Sequence, residues 1–364
     1  MSNSKKQLNE LKARKIENII DNYHKSNPVL NKSRDKVLLN TLAAYETTYC
    51  GIMDSNKGEN VSTKNISQIR TMMEGLNMAV KWIYDCCLQY NIIYKFDLKE
   101  LKGLSELFGN AIKYNELCEI YTLWSRHSDK SREEMVTYDD KTRTLSFSSS
   151  EIDGANAVLL RRQAINRVSN PSFQRPAISA IDYVDEFTKA ISLDDKGRIK
   201  YDISLEVWEA CLNVQKQQIR AFNELPREWV LSGFTLGEFL DVWAVLCTYT
   251  SLHQLAYRSL KGMVKVPDED SIILTKFEDL CLKVIEKTSL SYKTVSNVIS
   301  WLIYDSNNRK THIMWQPIVK IDNTNYAIAP SLIFGVNAEH SLISLLNKTR
   351  HKNIYLNLST EKET

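Results

Sequence analysis

Between Thr235 and Gly262 the chain reads TLGEFLDVWAVLCTYTSLHQLAYRSLKG, and through Val242–Cys247 it is apolar on nearly every side of a helix. A surface helix needs only one apolar stripe, so a helix apolar all round must have neighbours on every side. This segment therefore predicts a central helix with other elements packed around it. Asp241 and His253 interrupt the run, leaving it too short and too polar to cross a bilayer, so no membrane association is expected. Thr235 and Glu238 fit a capping box, in which each satisfies the other's backbone donor at a helix start.

The composition agrees with helices. Glycine (11) and proline (7) are scarce in 364 residues, which argues against a turn-rich β sandwich. Hydrophobic content of 43% and charged content of 25% are those of an ordinary globular protein, and the length suits two cores. The 47 basic and 44 acidic side chains leave a net charge of +3, too little for a global field that would imply nucleic acid or membrane. The first twenty residues have no uninterrupted apolar stretch and no small-residue cleavage site, so no secretory signal is expected. Seven cysteines form an odd set without CxxC spacing, as expected of reduced thiols in a cytoplasmic protein.

Along the chain, residues 5–24 carry an apolar stripe at helical spacing. Ile66, Ile69, Met73, Leu76, Val80, Ile83 and Cys87 give the cleanest helical period, with Met72, Met73 and Met78 assigned to packing. Hairpins are expected at 134–148, 190–204 and 318–329, the first two around Asp-Asp-Lys turns and the third around DNTN. Further helices are expected over about 205–224, 269–287 and 291–303, and from Asn337 through Leu346. The segment 169–179, with two prolines and little apolar content, reads as a hinge. The expectation is thus a mainly α protein of two helical lobes, 1–168 and 180–364, with short hairpins and a winged-helix-like element near 270–330.

Catalytic motifs fare poorly. Asp85, Glu100 and Lys102 match the spacing of a restriction-type metal site, but Glu100 sits in LKELKGLSELFG, which reads as a solvated helix face. The six histidines are scattered, with no i, i+4 pair, so no metal is expected. No nucleophile elbow, dinucleotide fingerprint or phosphate loop is present, and no cofactor is expected. The strongest feature is FEDLCLKVIEKTSLSYKTVSNVISWLI (277–303), which reads as a helix-turn-helix with the hairpin 318–329 as its wing. Its second helix would present Tyr292, Lys293, Ser296, Asn297 and Ser300, of which Lys293 and Asn297 can read bases. Two basic clusters, Arg161 with Arg162 and Lys348 with Arg350 and Lys352, are candidate phosphate contacts; a solvated helix end explains the second equally well.

Residues 200–360 also resemble the long helical region that precedes the nuclease domain in large bacterial restriction-like nuclease proteins associated with defence. The resemblance rests on GFTLGEFLDVWAVL, with Gly237, Phe239 and Trp243, and on Pro317, Tyr326, Pro330, Asn337, Leu342 and Leu345 leading into YLNLSTEKE. His340 stands where that pattern has Arg, and residues 347–364 are not expected to hold a nuclease core. The resemblance implies a sensing half without a nuclease domain. Three readings follow: a non-enzymatic interaction module for a protein partner and nucleic acid, accessory to a nuclease or phage-defence system; a winged-helix DNA-binding regulator; and a metal-dependent nuclease using Asp85, Glu100 and Lys102.

Overall fold

The protein is represented by a computed structural model, which describes residues 27–55, 63–87, 103–126, 136–139, 144–147, 189–195, 197–218, 225–308, 311–333, 337–346, 348–349 and 351. Among these the chain is mainly helical, with small antiparallel sheets. The helix expected at 5–24 and the hinge at 169–179 lie outside the described residues.

The chain divides into two compact units, and neither is a continuous stretch: Met1–Val29 with Lys102–Pro171, and Leu30–Leu101 with Ser172–Thr364. This differs from the sequential division expected at 169–179, because two N-terminal helices belong with the C-terminal elements. In the second unit these are α1 (Arg34–Asp54) and α2 (Thr63–Cys86). The first unit has α3 (Leu104–Arg126) and the hairpin of β1 (Val136–Asp139) and β2 (Thr144–Phe147), paired Val136 to Phe147.

The second unit continues with β3 (Ile191–Leu193) and β4 (Ile199–Tyr201), an antiparallel hairpin closed by Asp194, whose side chain accepts from the Arg198 amide at 2.8 Å. Helix α4 (Leu205–Gln218) follows, then α5 (Leu236–Lys261). Helix α5 is the central helix the sequence predicts. Its side chains from Val242 through Thr248 are all buried, and its capping box is formed: Thr235 Oγ1 accepts from the Glu238 amide at 3.2 Å while Glu238 Oε2 accepts from the Thr235 amide at 2.6 Å. Gly237 in its first turn is required by close approach: a Cβ there would lie 3.1 Å from the Arg227 side chain and 3.2 Å from its carbonyl. Arg227 uses that proximity, donating to the Gly237 carbonyl at 3.2 Å and pairing with Asp241 at 2.9 Å.

Residues 269–276, expected as the start of a helix, are a 3₁₀ turn (Asp268–Ser271) and strand β5 (Ile273–Lys276). The short apolar run Ile272-Ile273-Leu274 is equivocal by periodicity, and pairing with a strand some fifty residues later decides it. Helices α6 (Phe277–Ile285) and α7 (Tyr292–Leu302) come next, then β6 (Ile318–Lys320) and β7 (Asn325–Ile328). The three strands form one antiparallel sheet in the order β5-β7-β6. Helix α5, a strand, two helices and a hairpin whose second strand lies in the middle of the sheet is the connectivity of a winged helix, as expected near 270–330. Its core joins Phe239, Trp243 and Leu246 of α5 to Leu280 and Val284 of α6, Val295, Val298 and Leu302 of α7, and Ile318 and Ile328 of the sheet. Helix α8 (Asn337–Leu346) closes that core with Leu342, Leu345 and Leu346.

Helix α2 buries the face its period predicts, with Ile69, Met73, Leu76, Val80 and Ile83 inside. Its other contacts reach β6 and the segment before it. Asn77 accepts from the Ile313 amide at 2.9 Å, Glu74 meets His312 at 3.0 Å, and Tyr84 stacks on Tyr304 and donates to the Lys320 carbonyl at 2.7 Å.

Helix α1 is tied down by a buried carboxyl. Glu46 is fully buried. Its Oε2 accepts from the Ser331 hydroxyl at 2.6 Å and the Ser331 amide at 3.1 Å, and its Oε1 accepts from the Gln254 side chain of α5. Burial pushes this carboxyl from 4.5 up to about 7, while the bonds from Ser331 and Gln254 hold it from rising further. Glu46→Ala leaves the Ser331 and Gln254 donors without their acceptor inside the core, and is expected to destabilise the protein by about 3 kcal/mol in urea unfolding. A loss below about 1 kcal/mol would show that water or other groups replace the carboxyl.

Candidate functional site

Two surfaces of the second unit can meet a partner. The first is the face of α7 that a winged helix offers to duplex DNA. Ser291 caps the helix, accepting from the Thr294 amide at 3.2 Å, and Val295, Val298, Ile299 and Leu302 face the core. Tyr292 and Lys293 are exposed, as the sequence indicates. Asn297 is half-buried, and its side-chain amide donates to the Gly233 carbonyl at 3.4 Å. Gly233 has φ +78, and a Cβ there would stand 3.4 Å from that same amide, so the 229–235 turn lies directly against the helix. The wing tip carries Asp322, which accepts from the amides of Thr324 and Asn325, each at 2.7 Å, and from the Asn325 side chain. Partial burial opposes its ionisation, but these hydrogen bonds prevail and hold the carboxyl down at about 2. The wing therefore presents a fixed negative charge where a duplex would present phosphates.

The other expected residues do not join this face. Arg161, Arg162, Arg350 and Lys352 lie outside the described residues. Lys348 is exposed just past α8, with its ammonium over the Trp301 ring at 4.5 Å. Of the nuclease candidates, Asp85 is exposed on α2, and Glu100 and Lys102 lie outside the described residues. Among the described residues no group of three metal-ligating side chains converges.

The second surface is a cleft of about 490 Å³ between the β3–β4 hairpin, α4, α5, β5 and α6. Its walls are apolar, with Ile199, Ile203, Leu246, Ile272, Leu280 and Val284, and two aromatic rings, Trp208 and Tyr249, stand among them. Lys283 lies over the Tyr249 ring at 4.5 Å and donates to its hydroxyl at 2.7 Å; Lys287 lies over the Trp208 ring at 5.2 Å. Lys200 of β4 completes the cationic lining, with Glu286 as the nearby acid. The ion pairs among the described residues do not use Lys200, Lys283 or Lys287. The indole Nε1 of Trp208 is buried without a hydrogen-bond partner.

One side of the cleft is held by Asp270. Its carboxylate pairs with Arg198 and accepts from the Ile199 amide at 3.1 Å, which fixes β4. Its carbonyl lies 2.8 Å from His253 Nε2, which ties α5 to the same turn. Burial drives His253 from 6.5 down to about 4; Lys283 and Arg198 push the same way, while hydrogen bonding to the carbonyl opposes them. Burial also raises the Asp270 carboxyl, against the pull of Arg198. His253, half-buried on the cleft wall, is therefore held neutral and hydrogen-bonded.

The sequence missed this cleft. Lys283 and Lys287 are one helical turn apart and could have been noted as a cationic pair, but nothing local links them to Trp208 or to the hairpin. No family model, no curated protein and no solved structure matches the chain.

Two groups with shifted ionisation give a test through pH. Glu46, raised from 4.5 to about 7, contributes stability that is full below about pH 4.5 and lost as pH rises through 7. His253, lowered from 6.5 to about 4, contributes stability that is full above about pH 6.5 and lost as pH falls through 4. Their slopes oppose each other between pH 4.5 and 6.5. Glu46→Gln removes one of them, so its stability relative to the native protein should increase by roughly 3 kcal/mol between pH 4.5 and 7. Thermal unfolding of both proteins across that range measures it; a constant difference would mean that Glu46 titrates as an ordinary carboxyl.

Proposed function

We propose that this chain is a non-enzymatic interaction module whose winged-helix element serves a protein partner, in a nuclease-associated setting of the kind the sequence resemblance implies. The observation that carries this reading is electrostatic. On α7, Lys293 is the single cation facing out, Asn297 is engaged with the 229–235 turn, and the wing ends in an ionised Asp322. A duplex reader gains most of its affinity from neutralised phosphates, and such a face offers few contacts. Exposed Tyr292 beside Lys293 fits a protein contact better, since aromatic residues anchor protein interfaces.

The second reading, a DNA-binding regulator, draws on the winged-helix connectivity itself. Fluorescence anisotropy with a short duplex at about 50 and 200 mM salt separates the two, because six or more phosphate contacts weaken affinity roughly a thousandfold between those conditions. The interaction-module reading expects no salt-steep binding and no effect of Lys293→Ala with Asn297→Ala. It also expects a stoichiometric protein recovered with the tagged chain from its own host and lost on Tyr292→Ala. Salt-steep duplex binding abolished by the Lys293 and Asn297 changes would establish the regulator instead.

A further inference from the structure

We propose that the cleft between α4, α5, α6 and the β3–β4 hairpin is a binding site for a small anion that carries a planar ring, of the size and charge of a mononucleotide. Three features converge on that chemistry. At about 490 Å³ the cleft falls within the range of small-molecule sites. Its charge is supplied from separate elements: Lys200 on β4, Lys283 on α6 and Lys287 just beyond it, against the single carboxylate of Glu286. The Arg198–Asp270 pair is neutral overall. The surplus matches one phosphate dianion.

The third feature is aromatic. Trp208 and Tyr249 each hold a lysine head at a ring face, so π surface and cation stand within 5.2 Å of each other at two points of one cleft. A ligand with a phosphate and a base uses both together, the phosphate drawing the lysine heads and the base taking the apolar wall. A bare phosphate would leave the rings idle, and a neutral ring would leave the cations unpaired.

Cation–π contact alone would also place lysines on exposed rings, and it accounts for each pair taken singly. It does not account for both pairs meeting in one cleft with a third lysine. This assignment is independent of the winged-helix reading and survives its failure.

The test is isothermal titration of the full chain with AMP, GMP, CMP and UMP, beside adenosine and inorganic phosphate. At least one monophosphate is expected to bind with a dissociation constant below about 1 mM, and more tightly than adenosine or phosphate. Lys283 and Lys287 are exposed, so Lys283→Glu with Lys287→Glu should keep the native melting behaviour while weakening binding by about tenfold or more. No heat with any of the four monophosphates up to about 1 mM would overturn the proposal. So would phosphate binding as tightly as every monophosphate, or binding unchanged by the double lysine variant.

Discussion

The second unit depends on one buried carboxyl. Glu46 belongs to the second half of α1; apart from the nearby Cys50 thiol, its hydrogen-bond partners stand 208 and 285 residues further along the chain. A carboxyl without solvent needs partners on both oxygens, because an unpaired buried acid is among the most destabilising groups a core can hold. Glu46 finds them only when α1, α5 and the turn after β7 are all in place. Ser331 gives both its hydroxyl and its amide, so the bond depends on the backbone path out of the sheet as well as on a side chain. This constraint joins an N-terminal helix to the winged-helix element at its C-terminal strand.

The next residue on α5 extends the chain of polar contacts. Gln254 serves Glu46, and His253, some 100° around the helix, serves the Asp270 carbonyl. Asp270 then fixes β4 through Arg198 and the Ile199 amide. Two adjacent side chains of the most buried helix thus anchor elements on two of its sides. The cleft lies where the second of these anchors meets α6, so its shape is set by core contacts rather than by its own rim.

Much of the fold was legible in the sequence. The all-round apolar character of 242–247, the Thr235–Glu238 box, the period of α2 and the turn residues of the hairpins are local signals, and local physics decides those elements. What escaped was helix α1, not expected from the sequence, and whatever depends on long-range pairing. Residues 272–274 do not declare themselves a strand until β7 pairs with them, and α1 does not declare its unit until Glu46 meets Gln254 and Ser331. The same limit applies to sites. The amphipathic period of α7 placed Lys293 outside, but it could not show that the 229–235 turn would occupy Asn297. The cleft, drawn from five elements, had no sequence signature beyond two lysines a turn apart.

The neutrality of His253 has a consequence for that cleft. An exposed histidine beside Lys283 and Arg198 would gain and lose charge between pH 5 and 8, and the field of the cleft would vary with it. Burial moves that titration to about 4, beneath the range in which a phosphate monoester takes its second charge, near 6. Through neutral pH His253 then adds nothing to the positive field, which comes from Lys200 on β4, Lys283 on α6 and Lys287 just beyond it. A ligand's own second ionisation would govern how its binding varies with pH, strengthening as the dianion forms. The apolar wall that supports the rings also keeps the histidine uncharged, so packing and electrostatics at this cleft have one cause.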